Sequence, residues 1–133
     1  MSSTRVISQN ALQHASAWGL DVLTVTLVVR SDLTLEGQPV SGYQLEGTVY
    51  ISAECANHDA TAIHELRHVW QSRNGHTVTA YGTLSDADYA DSSSERDARL
   101  AEARYKYSVK PNARLETLIK NLEKYELRWL RLD

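Results

Sequence analysis

Apolar residues recur at helical spacing over residues 3–18. Ile7, Ala11, Leu12, Ala15 and Trp18 share one face, and Gly19 closes the segment. The period then changes. Residues 22–30 are dense in Val, Leu and Thr and predict a strand. Gly37 and Pro39 mark 32–40 as a turn or loop. Residues 42–52 set Tyr43, Leu45, Val49 and Ile51 among small and polar residues, which predicts one or two strands bent near Gly47. A polar connector follows, in which Asn57 or Asp59 can cap a helix over 60–74, with Gly75 at its C-terminal end. Residues 76–91 show little period and read as a loop of functional length. Ser92-Ser93-Ser94 opens a helix to about Ser108. Pro111 begins a last helix, whose Leu115, Leu118, Ile119, Leu122, Tyr125, Trp129 and Leu132 form one apolar stripe. The order helix, strands, helix, loop, helix, helix is α+β.

Composition narrows the classes. A chain of 133 residues is one domain. Its single cysteine, Cys55, excludes an intrachain disulfide framework and a multi-cysteine zinc or iron–sulfur site. The longest apolar run, Val25 to Val29 and broken by Thr26, is far below the ~20 residues that span a bilayer. The start of the chain has no signal-peptide core, so a cytoplasmic setting is expected. Net charge is −3, unevenly placed: 4 basic and 10 acidic groups precede Glu95, and 10 basic and 7 acidic groups follow from it. Acids and bases alternate in that basic third, which reads as solvated helix faces rather than a nucleic-acid surface.

The chemistry lies in His64-Glu65-Leu66-Arg67-His68, an HExxH motif inside the predicted 60–74 helix. Residues four apart stand one turn above each other on one face. His64 and His68 can therefore aim two imidazole nitrogens at one zinc ion, at about 2.0–2.1 Å. Glu65 stands about 100° around the helix. From there it is poorly placed to ligate but can take a proton from an activated water and return it to a leaving amine.

Two histidines need a third protein ligand beside an open position. The longer HExxHxxGxxH pattern fails, because Gln71 stands at its glycine and Asn74 at its last histidine. The first candidate is Glu95, at the start of the following helix; Glu102, one helical repeat on, His76, Asp88 and Asp91 are the alternatives. Glu95 also has a structural reading. With Ser92 as N-cap it completes a capping box and needs no metal.

On these residues the chain resembles the gluzincin class of zinc metallopeptidases, with HExxH on one helix and a glutamate in the Glu95-Arg96-Asp97-Ala98 context on the next. Its short length and its His64–Gln71 stretch are most similar to the compact minigluzincin-type members, over roughly residues 47–107. Together with the length and the element order, the resemblance predicts a single zincin-like domain over 1–133. A small mixed sheet of about three strands would pack on the HExxH helix and a glutamate helix, flanked by an N-terminal helix and a long C-terminal helix over 111–131. The resemblance implies Zn2+ held by His64, His68 and Glu95, Glu65 as catalytic base, and a peptide or protein substrate; the charge pattern and hydropathy predict no nucleic acid and no membrane, and a monomer is expected. The resemblance further implies that Thr48–Ser52 is the edge strand that pairs with the substrate backbone.

The resemblance also implies a tyrosine or histidine that stabilises a developing oxyanion; Tyr89, in the connecting loop, is the first choice, with Tyr81 and His76 as alternatives. Other roles follow from position. Asp97 or Asp91 would orient a ligating histidine through its other ring nitrogen. Arg67 would face solvent or pair with an acid, Trp70 would pack the helix on the core, and Cys55 would be a small packed thiol rather than a latency ligand. Two other functions compete: a zinc-bearing binding module without turnover, and a metal-free helical interaction domain.

Overall fold

The computed structural model of the chain describes residues 7–79, 85, 88 and 92–132. The fold is α+β. Helix α1 spans Gln9–Ser16, strand β1 Thr26–Arg30, β2 Thr34–Leu35, β3 Gln38–Pro39, β4 Gly42–Leu45 and β5 Thr48–Ser52. Three longer helices follow: α2 at His58–Arg73, α3 at Ser93–Val109 and α4 at Ala113–Leu132. Among the described residues no helix is long and apolar enough to cross a membrane.

Local chemistry explains where elements depart from the expected bounds. Helix α1 begins at Gln9 because Ser8 is its cap, with Oγ accepting from the Ala11 N–H. Residues 22–24 are not strand. The Asp21 carboxylate accepts from the Leu23 N–H and winds Val22–Thr24 into a 3-10 turn. The 32–40 loop contains the short antiparallel β2–β3 pair. Its turn, Glu36-Gly37, and the β4–β5 turn, Glu46-Gly47, have positive φ at both residues, the conformation that closes a two-residue hairpin. Asn57, not Asp59, caps α2 through Oδ1 to the Ala60 N–H. Asp59 instead ties three helices together: it accepts from the Ser8 N–H and hydroxyl at 2.8 and 2.7 Å and from the Tyr105 hydroxyl at 3.1 Å. Pro111 lies before the last helix rather than at its first position, because Asn112 caps α4 through its bond from the Leu115 N–H.

The main sheet runs β1-β5-β4, with β1 parallel and β4 antiparallel to β5. This corrects the expected substrate edge. Thr48–Ser52 is the central strand, paired along both sides, and the hairpin at Glu46-Gly47 folds β4 outside it. Val49 and Ile51 of β5 are fully buried against α2. Helix α2 is enclosed by the sheet, α1 and α3, and buries Ile63, Leu66 and Val69. It also buries Glu65, Arg67, His68 and Gln71. Four polar side chains on one enclosed helix require partners or a function, since such groups are seldom buried unpaired.

Candidate metal centre

The three side chains His64, His68 and Glu95 converge. Their ligand atoms all lie within 4.8 Å of one another. The Nε2 of His64 is 3.1 Å from Glu95 Oε1 and 3.0 Å from Oε2, and the Nε2 of His68 is 3.2 Å from Oε1. The helix spacing places the two imidazoles on one face, and the α2–α3 packing brings Glu95 onto them. Ser92 caps α3 without a side-chain cap bond, and the Glu95 carboxylate turns to the histidines. Glu95 thus meets the two histidines rather than completing a capping box.

The outer ring nitrogens are also held. His64 Nδ1 is 2.9 Å from Glu102 Oε1, whose other oxygen pairs with Lys106 at 3.1 Å. His68 Nδ1 is 2.8 Å from Gln71 Oε1. Glu102, an alternative third ligand by sequence, lies on the far side of His64 and orients it. Asp97 touches neither histidine; it accepts from Arg67 Nε at 2.7 Å and from Gln71 Nε2 at 2.8 Å. The proposed direct orienting role of Asp97 is therefore replaced by Glu102 and Gln71. Gln71 has no motif of its own. Its one signal is the three-residue spacing from His68, which places both on one helix face.

The donor set fits a divalent cation. In a tetrahedral zinc site neighbouring ligand atoms stand about 3.3 Å apart, close to the 3.0 and 3.2 Å seen here. A neutral imidazole that donates its Nδ1 proton has a bare Nε2. Two bare nitrogens facing one carboxylate need positive charge between them, from protons or a metal. The electrostatics agree. Burial opposes the charged form of His64, but hydrogen bonds to Glu102 and Glu95 outweigh it and hold its pKa well above the imidazole range. Burial would raise Glu95, yet the bonds from both histidines hold its carboxyl well below the carboxylate range. Burial likewise opposes the charge on Glu102, and its His64 bond and Lys106 carry the pKa downward.

Glu65 lies beside this group but outside it, and makes no hydrogen bond among the described residues. Burial pushes its carboxyl upward, against the pull of the two histidines. That direction suits a general base, whose pKa should approach the working pH.

A cleft of about 600 Å³ opens over these residues. Leu35, Val40, Leu45 and Val78 line it with apolar surface, and all of β4 borders it. The Ser52 N–H donates to Ser41 O, so alternation turns the N–H and C=O of Gly42 and Gln44 outward from β5. Gly42 is required by close approach. A Cβ there would stand 2.8 Å from Thr61 Cγ2, 2.9 Å from Tyr50 O and 3.3 Å from Glu65 Cγ. The Tyr50 carbonyl is central-strand backbone and cannot yield cheaply. Gly42→Ala is expected to destabilise the fold by about 1–3 kcal/mol, read from urea denaturation; an unchanged midpoint would show that β4 and α2 are not tightly spaced.

The remaining candidates are placed elsewhere. The His76 ring stacks on Trp70 with centroids 5.3 Å apart, and Asp88 is exposed and outside the cluster. Trp70 also donates from Nε1 to Trp18 O. Arg67 is buried and paired with Asp97 rather than facing solvent. Cys55 packs against the core, with the Thr61 hydroxyl on its sulfur at 3.5 Å. Tyr89, Tyr81 and Asp91 lie outside the described residues. No protein-family model, no curated protein and no solved structure matches this chain.

Proposed function

We propose that the chain is a zinc-dependent peptidase of the gluzincin type that hydrolyses extended peptides. The observation that carries this reading is the meeting of two imidazole nitrogens and one carboxylate on the floor of a cleft, with a further carboxylate, Glu65, beside them. His64, His68 and Glu95 would hold the ion, and Glu102 and Gln71 would keep the two rings turned toward it. When bound, zinc supplies a Lewis acid that acidifies water and polarises a carbonyl.

The chain's own residues do the rest. Glu65 takes the proton of the attacking water and returns it to the leaving amine. The outward N–H and C=O groups of Gly42 and Gln44 pair with the substrate backbone as an added strand. Leu35, Val40, Leu45 and Val78 favour apolar side chains near the scissile bond. A single cysteine, which cannot form an intrachain disulfide and so needs no oxidising compartment, fits a cytoplasmic setting.

The test is incubation of the zinc-loaded chain with a peptide library. Cleavage that stops on chelation and returns with zinc is expected. Tight stoichiometric zinc without turnover would favour a binding module instead, and cleavage indifferent to chelation would exclude the metal mechanism.

A further inference from the structure

The Gln71 amide has only one orientation available to it. Its Nε2 lies 2.9 Å from the Ser94 carbonyl and 2.8 Å from Asp97 Oδ2, and both are acceptors. The NH2 must face them, so Oε1 must face His68 Nδ1, 2.8 Å away. An amide oxygen can only accept, and His68 therefore carries its proton on Nδ1. Asp97 is fixed in turn by Arg67, through Nε at 2.7 Å and the second guanidinium nitrogen at 3.2 Å. The guanidinium carbon of Arg67 stands 3.8 Å from the Trp70 ring centroid and 5.0 Å from that of Trp18. All three links are buried: Gln71 is 0%, Asp97 4% and Arg67 8% exposed.

The same bonds do a second job. Ser94 and Asp97 flank Glu95 in the first turns of α3, while Gln71 follows His68 by three residues on α2. One amide thus joins the helix carrying a histidine ligand to the helix carrying the carboxylate ligand.

We infer that Gln71 and Asp97 are positioning residues of the metal centre. Anchored by Arg67, they hold His68 with Nε2 bare and hold Glu95 in register with it. The inference rests on the zinc reading above. The alternative is a buried polar network that serves stability alone. The two differ in what they do to metal affinity and to the state of the His68 ring.

The first measurement uses the zinc-loaded wild-type chain and long-range 1H–15N spectra of its histidines. His68 is expected to ligate through Nε2, with a slowly exchanging Nδ1 proton. Ligation through Nδ1, or a freely exchanging Nδ1 proton, would overturn the inference. The second is zinc affinity by chelator competition for Asp97→Asn and Gln71→Met, with folding followed by circular dichroism. In either variant that folds, zinc binding about 10–100-fold weaker is expected, with faster exchange of the His68 Nδ1 proton. Folded variants with wild-type affinity would reduce the network to a stability role and overturn the proposal. A wild-type chain that holds no zinc would overturn the peptidase reading itself, and this inference with it, whereas intact wild-type binding with unaffected variants defeats this inference alone.

Discussion

Glu65→Gln is expected to lower peptide cleavage by about 10²–10⁴-fold, the range that a positioned general base contributes. Zinc content should not change, because Glu65 lies outside the ligand group. Glutamine keeps the shape of the side chain but carries no charge and cannot take a proton. Single-turnover cleavage and metal analysis on the same sample separate the two effects. A variant that cleaves as fast as wild type would remove Glu65 from the mechanism.

Stability gives that variant an independent readout. Burial raises the Glu65 pKa in the folded protein. For an acid shifted upward, the favourable contribution is fully present below the unfolded pKa and is lost as pH rises through the folded one. Above the unfolded carboxyl pKa the burial of Glu65 therefore works against the metal-free fold. Glutamine is neutral at every pH and removes this penalty. The metal-free variant should melt at or above the wild-type temperature near pH 7. Loss of activity with an unchanged or raised Tm would then report chemistry rather than damage.

The elements most legible in the sequence are those that local rules decide. The period of apolar residues located α1, α2 and α4, and the HExxH spacing put two imidazoles on one face of a buried helix. Glutamate–glycine pairs close both hairpins, and the sequence marks both places: a bend between strands at Gly47, and a turn at Gly37 without its flanking strands. Strands β2 and β3 have two residues each, too few to show an alternation, and so read as loop. The order of the sheet was not legible, since strand pairing is a tertiary outcome. Thr48–Ser52 has the alternation of a half-buried strand whether central or at an edge, and the β1 pairing decides the matter. The roles of Glu102 and Asp97 were likewise ambiguous. Both are acids on the α3 sequence, and only the distance to each histidine separates an orienting group from one that acts through Gln71.

Glu95→Ala is expected to weaken zinc binding by more than 100-fold, beyond the roughly 10–100-fold span for groups that merely orient a ligand. Glu102→Gln provides the comparison. It can still present an oxygen to His64 Nδ1, and its loss should fall within or below that span. The competing role of Glu95 as a helix cap makes a different prediction: loss of about 0.5–2 kcal/mol of stability, with affinity intact. The geometry weighs against it, because the carboxylate meets both histidines at 3.0–3.2 Å while the Ser92 side chain makes no cap bond. Metal-free stability tests the pairing of Glu95 with the histidines itself. The Glu95 pKa is depressed in the folded state, so its contribution is present above the unfolded carboxyl pKa and disappears as pH falls through the folded value. Wild type and Glu95→Ala should therefore differ most in metal-free stability near neutral pH and converge in strong acid. Zinc must also displace the proton that His64 holds between Glu102 and Glu95, so uptake should release protons and fail on acidification. Equal zinc affinity in wild type and Glu95→Ala would move the third ligand elsewhere and leave the His64–His68 pair without the carboxylate that completes it.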